Sequence, residues 1–180
     1  MTDQETLEQI CRTLLRAIGE DTTRPGLKDT PKRWAKWWME FMSYNDDNLS
    51  TTFESVKTDQ MVALTGIRVW SLCEHHLLPF WCDISIAYLS TYKIIGISKL
   101  ARIAQHHAHG LNVQEKLVSR IADTVEQNTG SKHVAVIAKG QHLCMSMRGI
   151  KSEAMMVSNE MRGRFLEREA LRMELLAMVN

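Results

Sequence analysis

The sequence has 180 residues, of which 44% are hydrophobic and 24% charged. That is enough for one ordinary domain with a core, and it excludes a disordered chain or a fibrous repeat. Lys and Arg number 22 against 21 Asp and Glu, a formal charge of +1, which argues against a general nucleic-acid binder but not against a local basic pocket. Along the chain, Thr2 and Glu5 form a capping box ahead of Leu7, Ile10, Cys11, Leu14, Leu15 and Ile18 at helical spacing, and Gly19 stops that helix. Residues 20–29, with Pro25 and Gly26, read as a loop, and Thr30–Pro31 as the N-cap and first residue of a second helix. Its Trp34, Trp37, Trp38 and Phe41 make an apolar stripe that reads as packing surface.

Residues 44–50 are a polar connector, after which the period changes. Met61 to Trp70 is strand-like, and Ile84, Ile86 and Tyr88 alternate with Asp83, Ser85 and Ala87 as in a half-buried strand. Tyr92 to Ile97 reads as a further strand, followed by a helix capped by Ser98 and reaching about His109. Val113, Leu117, Ile121 and Val125 mark a second helix, and Gly130 a turn. His133–Lys139 and His142–Arg148 read as a hairpin across Gly140, and Phe165–Met178 as a closing helix. The expected class is α+β, with residues 1–50 as a helical segment and 51–180 as the main region of the same domain.

Four cysteines are too few for a disulfide framework in a chain of this length, and two of them sit near histidines, which points to metal. No apolar run reaches membrane-span length, and the polar start MTDQETLEQI has no signal-peptide core, so a reducing cytoplasmic setting is expected. In SLCEHHLLPF, residues 71–80, Cys73 and His76 are three apart and can reach one ion from a turn. Cys144 is the best third ligand, on an expected strand whose one face carries His142, Cys144, Ser146 and Arg148. Three such ligands leave zinc an open position; a closed structural site with Cys82 as fourth ligand is the alternative.

His75 adjoins His76, and one of the two can bind metal while the other exchanges protons near neutral pH, as His142 also can. His106, His107 and His109 suit surface or interface roles, and His133 has none. Lys99 and Arg102, behind Ser98 at a helix start, can hold phosphate, with Arg148 as a further cation. Glu115, preceded by Gln114, can pair with the donor hydrogens of guanine. No Walker or Rossmann glycine fingerprint occurs.

CEHHLLPF at 73–80, GISKLARI at 96–103, VQEKL at 113–117 and QHLCMSMRG at 141–149 together resemble the GTP cyclohydrolase I family, as does GLKDTPKRWAK at 26–36. The resemblance implies a tunnelling fold of antiparallel strands and packed helices with an N-terminal helical extension. It implies Zn2+ on Cys73, His76 and Cys144, and His75, His142 and Ser98 as catalytic residues. It implies GTP held by Gln114 and Glu115 at the base and by Lys99, Arg102, Arg148 and Arg33 at the phosphates. It also implies a decamer of two pentamers with sites between subunits, and neither nucleic-acid nor membrane partners. Members of that family open routes to folates, biopterin and deazapurines. The chain departs from the pattern at His109 and Gly110, and in SEAMMVSNEMRGRF at 152–165.

Overall fold

The computed structural model describes residues 3–46, 48–54, 59–91 and 93–179. In chain order the elements are α1 (Asp3–Ala17), α2 (Thr30–Met42), β1 (Thr52–Glu54), β2 (Met61–Cys73), β3 (Pro79–Leu89), β4 (Lys93–Ile95) and α3 (Ile97–Ala108). There follow β5 (Leu111–Asn112), α4 (Gln114–Thr129), β6 (Val134–His142), α5 (Leu143–Ser146), β7 (Met156–Met161), α6 (Arg164–Glu167) and α7 (Glu169–Val179). The chain divides into two compact units, Met1–Asn45 and Asp46–Asn180.

The first unit is the pair α1 and α2. Thr2 lies outside the described residues. Asp29, one residue ahead of Thr30, is the N-cap of α2, and Pro31 sits in the first turn where its missing N–H costs nothing. The tryptophan stripe packs on itself: Trp38 meets Trp34 and Trp37 edge-on at 5.7 and 5.0 Å, and Trp37 stacks on Phe41. Trp37 nonetheless remains exposed.

The second unit is built on a five-stranded sheet in the order β5-β2-β3-β6-β7, with β1 and β4 as a separate antiparallel pair. All neighbours in the larger sheet are antiparallel except β2 and β5. One face carries Cys82, Ile84, Ile86, Tyr88, Val134, Val136 and Ala138, packed against Ile103, Leu117, Ile121 and Val125 of α3 and α4. The other face places Ala87, Leu89, Ala135 and Ile137 against Phe165 and Leu175. β3 is therefore buried on both faces from Ile84 to Leu89, not half-buried as its alternation suggests, because the C-terminal helices cover its second face. This is the α+β arrangement expected, an antiparallel sheet with packed helices.

Four further boundaries differ from the sequence reading. The strand expected over Tyr92–Ile97 is limited to Lys93–Ile95, Tyr92 lying outside the described residues. Ser98 does not cap α3: Gly96 holds the cap position, and Ser98 is already inside the first turn. The tail is two helices that break at Arg168. Most consequential, no hairpin forms at Gly140. β6 runs through it, pairing with β3 from Tyr88↔Val134 to Phe80↔His142, and its other antiparallel partner is β7. Gly110 takes φ +114, a region that L side chains rarely adopt, so glycine suits this position.

His107 joins α3 to α4 through a 2.7 Å bond between its Nε2 and Thr124 Oγ1. Burial, aided by His106 and Arg120, lowers its pKa to about 4. The unfolded chain keeps the ordinary value of about 6.5, so between these limits it binds more protons than the folded state. The contribution is full above pH about 6.5 and is lost as pH falls toward 4, by at most about 3 kcal/mol. His107→Gln should cost stability at pH 7, and the gap to the parent should narrow as pH falls to 4. Chemical denaturation at several pH values checks this; a constant gap would show that His107 does not fold as the neutral form.

Candidate metal centre and active site

The β2–β3 connection builds the centre. Cys73 ends β2, and its carbonyl accepts the amides of both His76 (3.3 Å) and Leu77 (2.9 Å), while its own amide donates to Leu78 O. The turn that these bonds close brings His76 back toward Cys73, and Leu77 takes the left-handed region at φ +55 where the chain leaves it. Cys73 Sγ and His76 Nδ1 stand 3.6 Å apart. The ligand atoms of Cys73, His76 and Cys144 all lie within 4.8 Å of one another, the only such group of three or more among the described residues.

This set fits zinc. Bonds of about 2.3 Å to sulfur and about 2.0–2.1 Å to nitrogen at tetrahedral angles separate the two atoms by about 3.6 Å, as found. Burial raises the pKa of the Cys144 thiol, and the neighbouring Cys73 adds to it. A divalent cation reverses that balance by deprotonating its thiol ligands. Cys82 does not close the site. It is buried in β3, its Sγ donates to Gln114 Oε1 at 3.4 Å, and burial pushes its pKa up to about 12.

Cys144 reaches the cluster differently from the expectation. The segment after His142 is one helical turn, α5, not a strand, so His142, Cys144, Ser146 and Arg148 do not share a face. The pairing of β6 with β3 ends at Phe80↔His142, which frees the chain to turn there.

A cavity of about 190 Å³ opens beside the cluster, lined by Cys73, His75, His76, Glu115, His142 and Cys144 among others. The His75 and His76 rings are nearly perpendicular; His76 joins the thiols in the cluster, while His75 Nδ1 stays 4.0 Å from Cys73 Sγ. His142 stacks on buried Phe80 at 4.3 Å between centroids, tilted by 7°. Its Nε2 lies 3.0 Å from Gln114 Oε1. Burial lowers the pKa of His142, and the charge of Glu115 opposes that shift. Glu115 is exposed in the first turn of α4.

The expected phosphate residues lie apart from this cavity. Ser98, Lys99 and Arg102 occupy the first half of α3, and neither they nor Arg148 line it. Lys99 is buried, while Ser98 and Arg148 are exposed. Arg102 is paired with Asp46, whose carboxyl this hydrogen bond holds below its ordinary range, with the Lys99 charge adding to the effect. Arg33 is exposed on α2, in the first unit.

Sequence reasoning missed Asp46, Phe80 and the part played by Gly140. A Cβ at Gly140 would lie 2.6 Å from both Cys82 Sγ and Gln114 Oε1. The signal was present, since a lone glycine inside an apolar alternating run marks a close approach as readily as a turn.

Soft ligands in this number leave an ion one position for water or substrate, and two histidines and a carboxylate share the cavity; the class defined is a zinc enzyme on an α+β scaffold. The chain belongs to the GTP cyclohydrolase I family, whose profile matches residues 7–180. It is 44% identical over 180 residues to GTP cyclohydrolase 1 of Sulfurihydrogenibium sp. (strain YO3AOP1), covering 99% of this chain and 96% of the relative. Identity is 42% to the protein of that name from Aquifex aeolicus, over 98% of this chain and 97% of the relative. It is 40% to that from Hyperthermus butylicus, over 98% and 91%.

Cys144→Ala should lower bound zinc from about one ion per chain toward none, since removing one of three thiolate or imidazole ligands leaves a two-ligand site. Elemental analysis of the purified protein measures this, and full zinc occupancy in the variant would remove Cys144 from the ligand set.

Proposed function

We propose that this chain is a zinc-dependent GTP cyclohydrolase I that converts GTP and water to 7,8-dihydroneopterin triphosphate and formate. The observation that carries the reading is the meeting of a two-thiol, one-imidazole cluster with His75, His142 and Glu115 at one cavity. Cys73, His76 and Cys144 hold the ion, which when bound supplies the Lewis acidity that makes water nucleophilic near neutral pH. His142 delivers a proton to guanine N7 and so makes C8 electrophilic, while His75 takes and returns protons at the attacking water. Two hydrolytic cleavages at C8 open the imidazole ring and release formate. Ribose opening, an Amadori rearrangement and ring closure with loss of one water then give the pterin, and Ser98 assists proton transfer at the sugar.

Glu115 accepts the N1 and 2-amino hydrogens of guanine, a pair that adenine lacks. Gln114 stands beside it at the guanine end. Lys99, Arg102, Arg148 and Arg33 hold the triphosphate, as largely uniform binding energy. A cavity of about 190 Å³ falls below the roughly 300–1,000 Å³ usual for small-molecule sites. That shortfall, with the phosphate cations outside its lining, supports a site completed by a second subunit in a decamer of two pentamers. Exposed Trp70, Ile97 and Ile150 offer apolar surface for such contacts. Residues 1–50 and 51–180 act in that assembly as one domain. No helix among the described residues is long and apolar enough to cross a membrane. The four unbridged cysteines suit a reducing cytoplasm, where two ligand thiols stay available.

Incubation with GTP and zinc should release formate and a fluorescent pterin in equal amounts, and a zinc-replete protein that releases neither would overturn the reading. Glu115→Ala should reduce discrimination of GTP over ATP by about a hundredfold or more, because the site loses the acceptor that only guanine satisfies. Competition kinetics measure that ratio, and an unchanged ratio would sink the role. Asp46→Asn should lower the KM for GTP by up to about fivefold, the size of a surface ion pair that Arg102 must otherwise give up to hold phosphate. A raised KM would assign Asp46 a supporting role instead.

A further inference from the structure

We propose that the Gln114 side chain is a positioning residue for His142, fixing that ring as its Nε2–H tautomer and leaving Nδ1 as the nitrogen that exchanges protons with substrate. The inference rests on the role of His142 given above, but its geometric basis is separate. Gln114 is 0% exposed, and both ends of its amide are engaged within the chain. Nε2 faces the carbonyl oxygens of Ala138 and Met156, each at 3.1 Å, and Ser158 Oγ at 3.0 Å. Carbonyl oxygens only accept, so this end of the amide must be the NH2 group. The other end is therefore oxygen, and an oxygen that only accepts faces His142 Nε2 at 3.0 Å. His142 Nε2 must carry a hydrogen to make that bond, whether the ring is neutral or charged.

The surroundings hold this arrangement from several sides. Cys82 gives its thiol hydrogen to the same oxygen, at 3.4 Å. Gly140 makes room for it, since a Cβ there would lie 2.6 Å from that oxygen and 2.8 Å from Trp81 O. Phe80 fixes the plane of the imidazole by stacking, which leaves the choice between its two flipped orientations for Gln114 to settle. A buried amide with this many fixed partners cannot rotate to meet a ligand without stranding carbonyls at Ala138 and Met156. The side chain thus acts on guanine only through His142.

The test is Gln114→Met, which keeps the length of the side chain and removes both polar ends. Zinc content should match the parent, the KM for GTP should stay within about threefold, and kcat should fall by about ten- to a hundredfold, the range that a mis-set general acid loses. A raised KM at unchanged kcat would make Gln114 a substrate ligand and overturn the proposal. Solid-state 15N NMR of histidine-labelled protein, with His142 assigned through the signal lost in His142→Ala, reads the tautomer directly. The parent should show Nε2–H alone, and the variant a mixture. A parent His142 protonated at Nδ1 instead would also overturn the proposal, and that measurement stands even if Gln114→Met does not fold. The two readings fail separately: His142→Ala that turns over GTP at the parent rate removes His142 from the chemistry. An inactive His142→Ala beside a fully active Gln114→Met removes only the positioning role.

Discussion

A primary amide sealed from water must find partners for two hydrogens and one oxygen inside the protein, and much of this site is arranged around that requirement at Gln114. Leaving one buried polar group unmatched costs about 1–3 kcal/mol. Gln114 is the first residue of α4, so its needs tie that helix to the sheet at a defined height and rotation. Ala138 of β6 and Met156 and Ser158 of β7 answer the nitrogen, and Cys82 of β3 and His142 answer the oxygen. A shift of α4 by one residue, or a side chain at position 140, would break several of these at once. The same helix start carries Glu115 outward, so the packing that satisfies Gln114 also places the carboxylate at the mouth of the cavity.

The polar residues divide into two groups with different physical settings. Around the cavity Cys73, Phe80 and Gln114 are buried and His142 and Cys144 half-buried, and the contacts are specific: thiol on imidazole, imidazole on amide, ring on ring. Such interactions are short-ranged and set by sheet register. On α3 the groups are cations. Lys99 lies buried with an Asp46 carboxylate nearby, and Arg102 is paired with that carboxylate. An acidic partner keeps two neighbouring cations from repelling each other, and a polyanion arriving there competes with Asp46 rather than meeting bare charge. The cavity is thus rigid and locally built, while the α3 cluster is electrostatic and exchangeable.

Two of the metal ligands were legible because their information is local: Cys73 and His76 stand three positions apart, and a turn lets them meet. Gln114 and Glu115 were legible only as members of a motif, since what an amide touches depends on strands that lie 24 to 44 residues further along the chain. Gly140 was misread for a related reason. Glycine serves turns and close approaches equally, and only the register of β3 against β6 decides between them. The double burial of β3 was hidden because Ser85 and Ala87 look like a solvent face until Phe165 and Leu175 cover the second side of the sheet.

The misreading of QHLCMSMR has the most instructive cause. On a strand, residues two apart point the same way, so His142 and Cys144 would have crowded one face and competed for one ion position. In a helical turn, residues two apart point in nearly opposite directions. α5 begins where the β3–β6 ladder stops, and that change of backbone separates two side chains only two residues apart. Cys144 goes to Cys73 and His76, and His142 goes to Gln114 and Phe80. A single turn of helix therefore keeps the His142 ring out of the three-ligand cluster while holding it at the same cavity. This is a division that alternation in the sequence could suggest only in reverse.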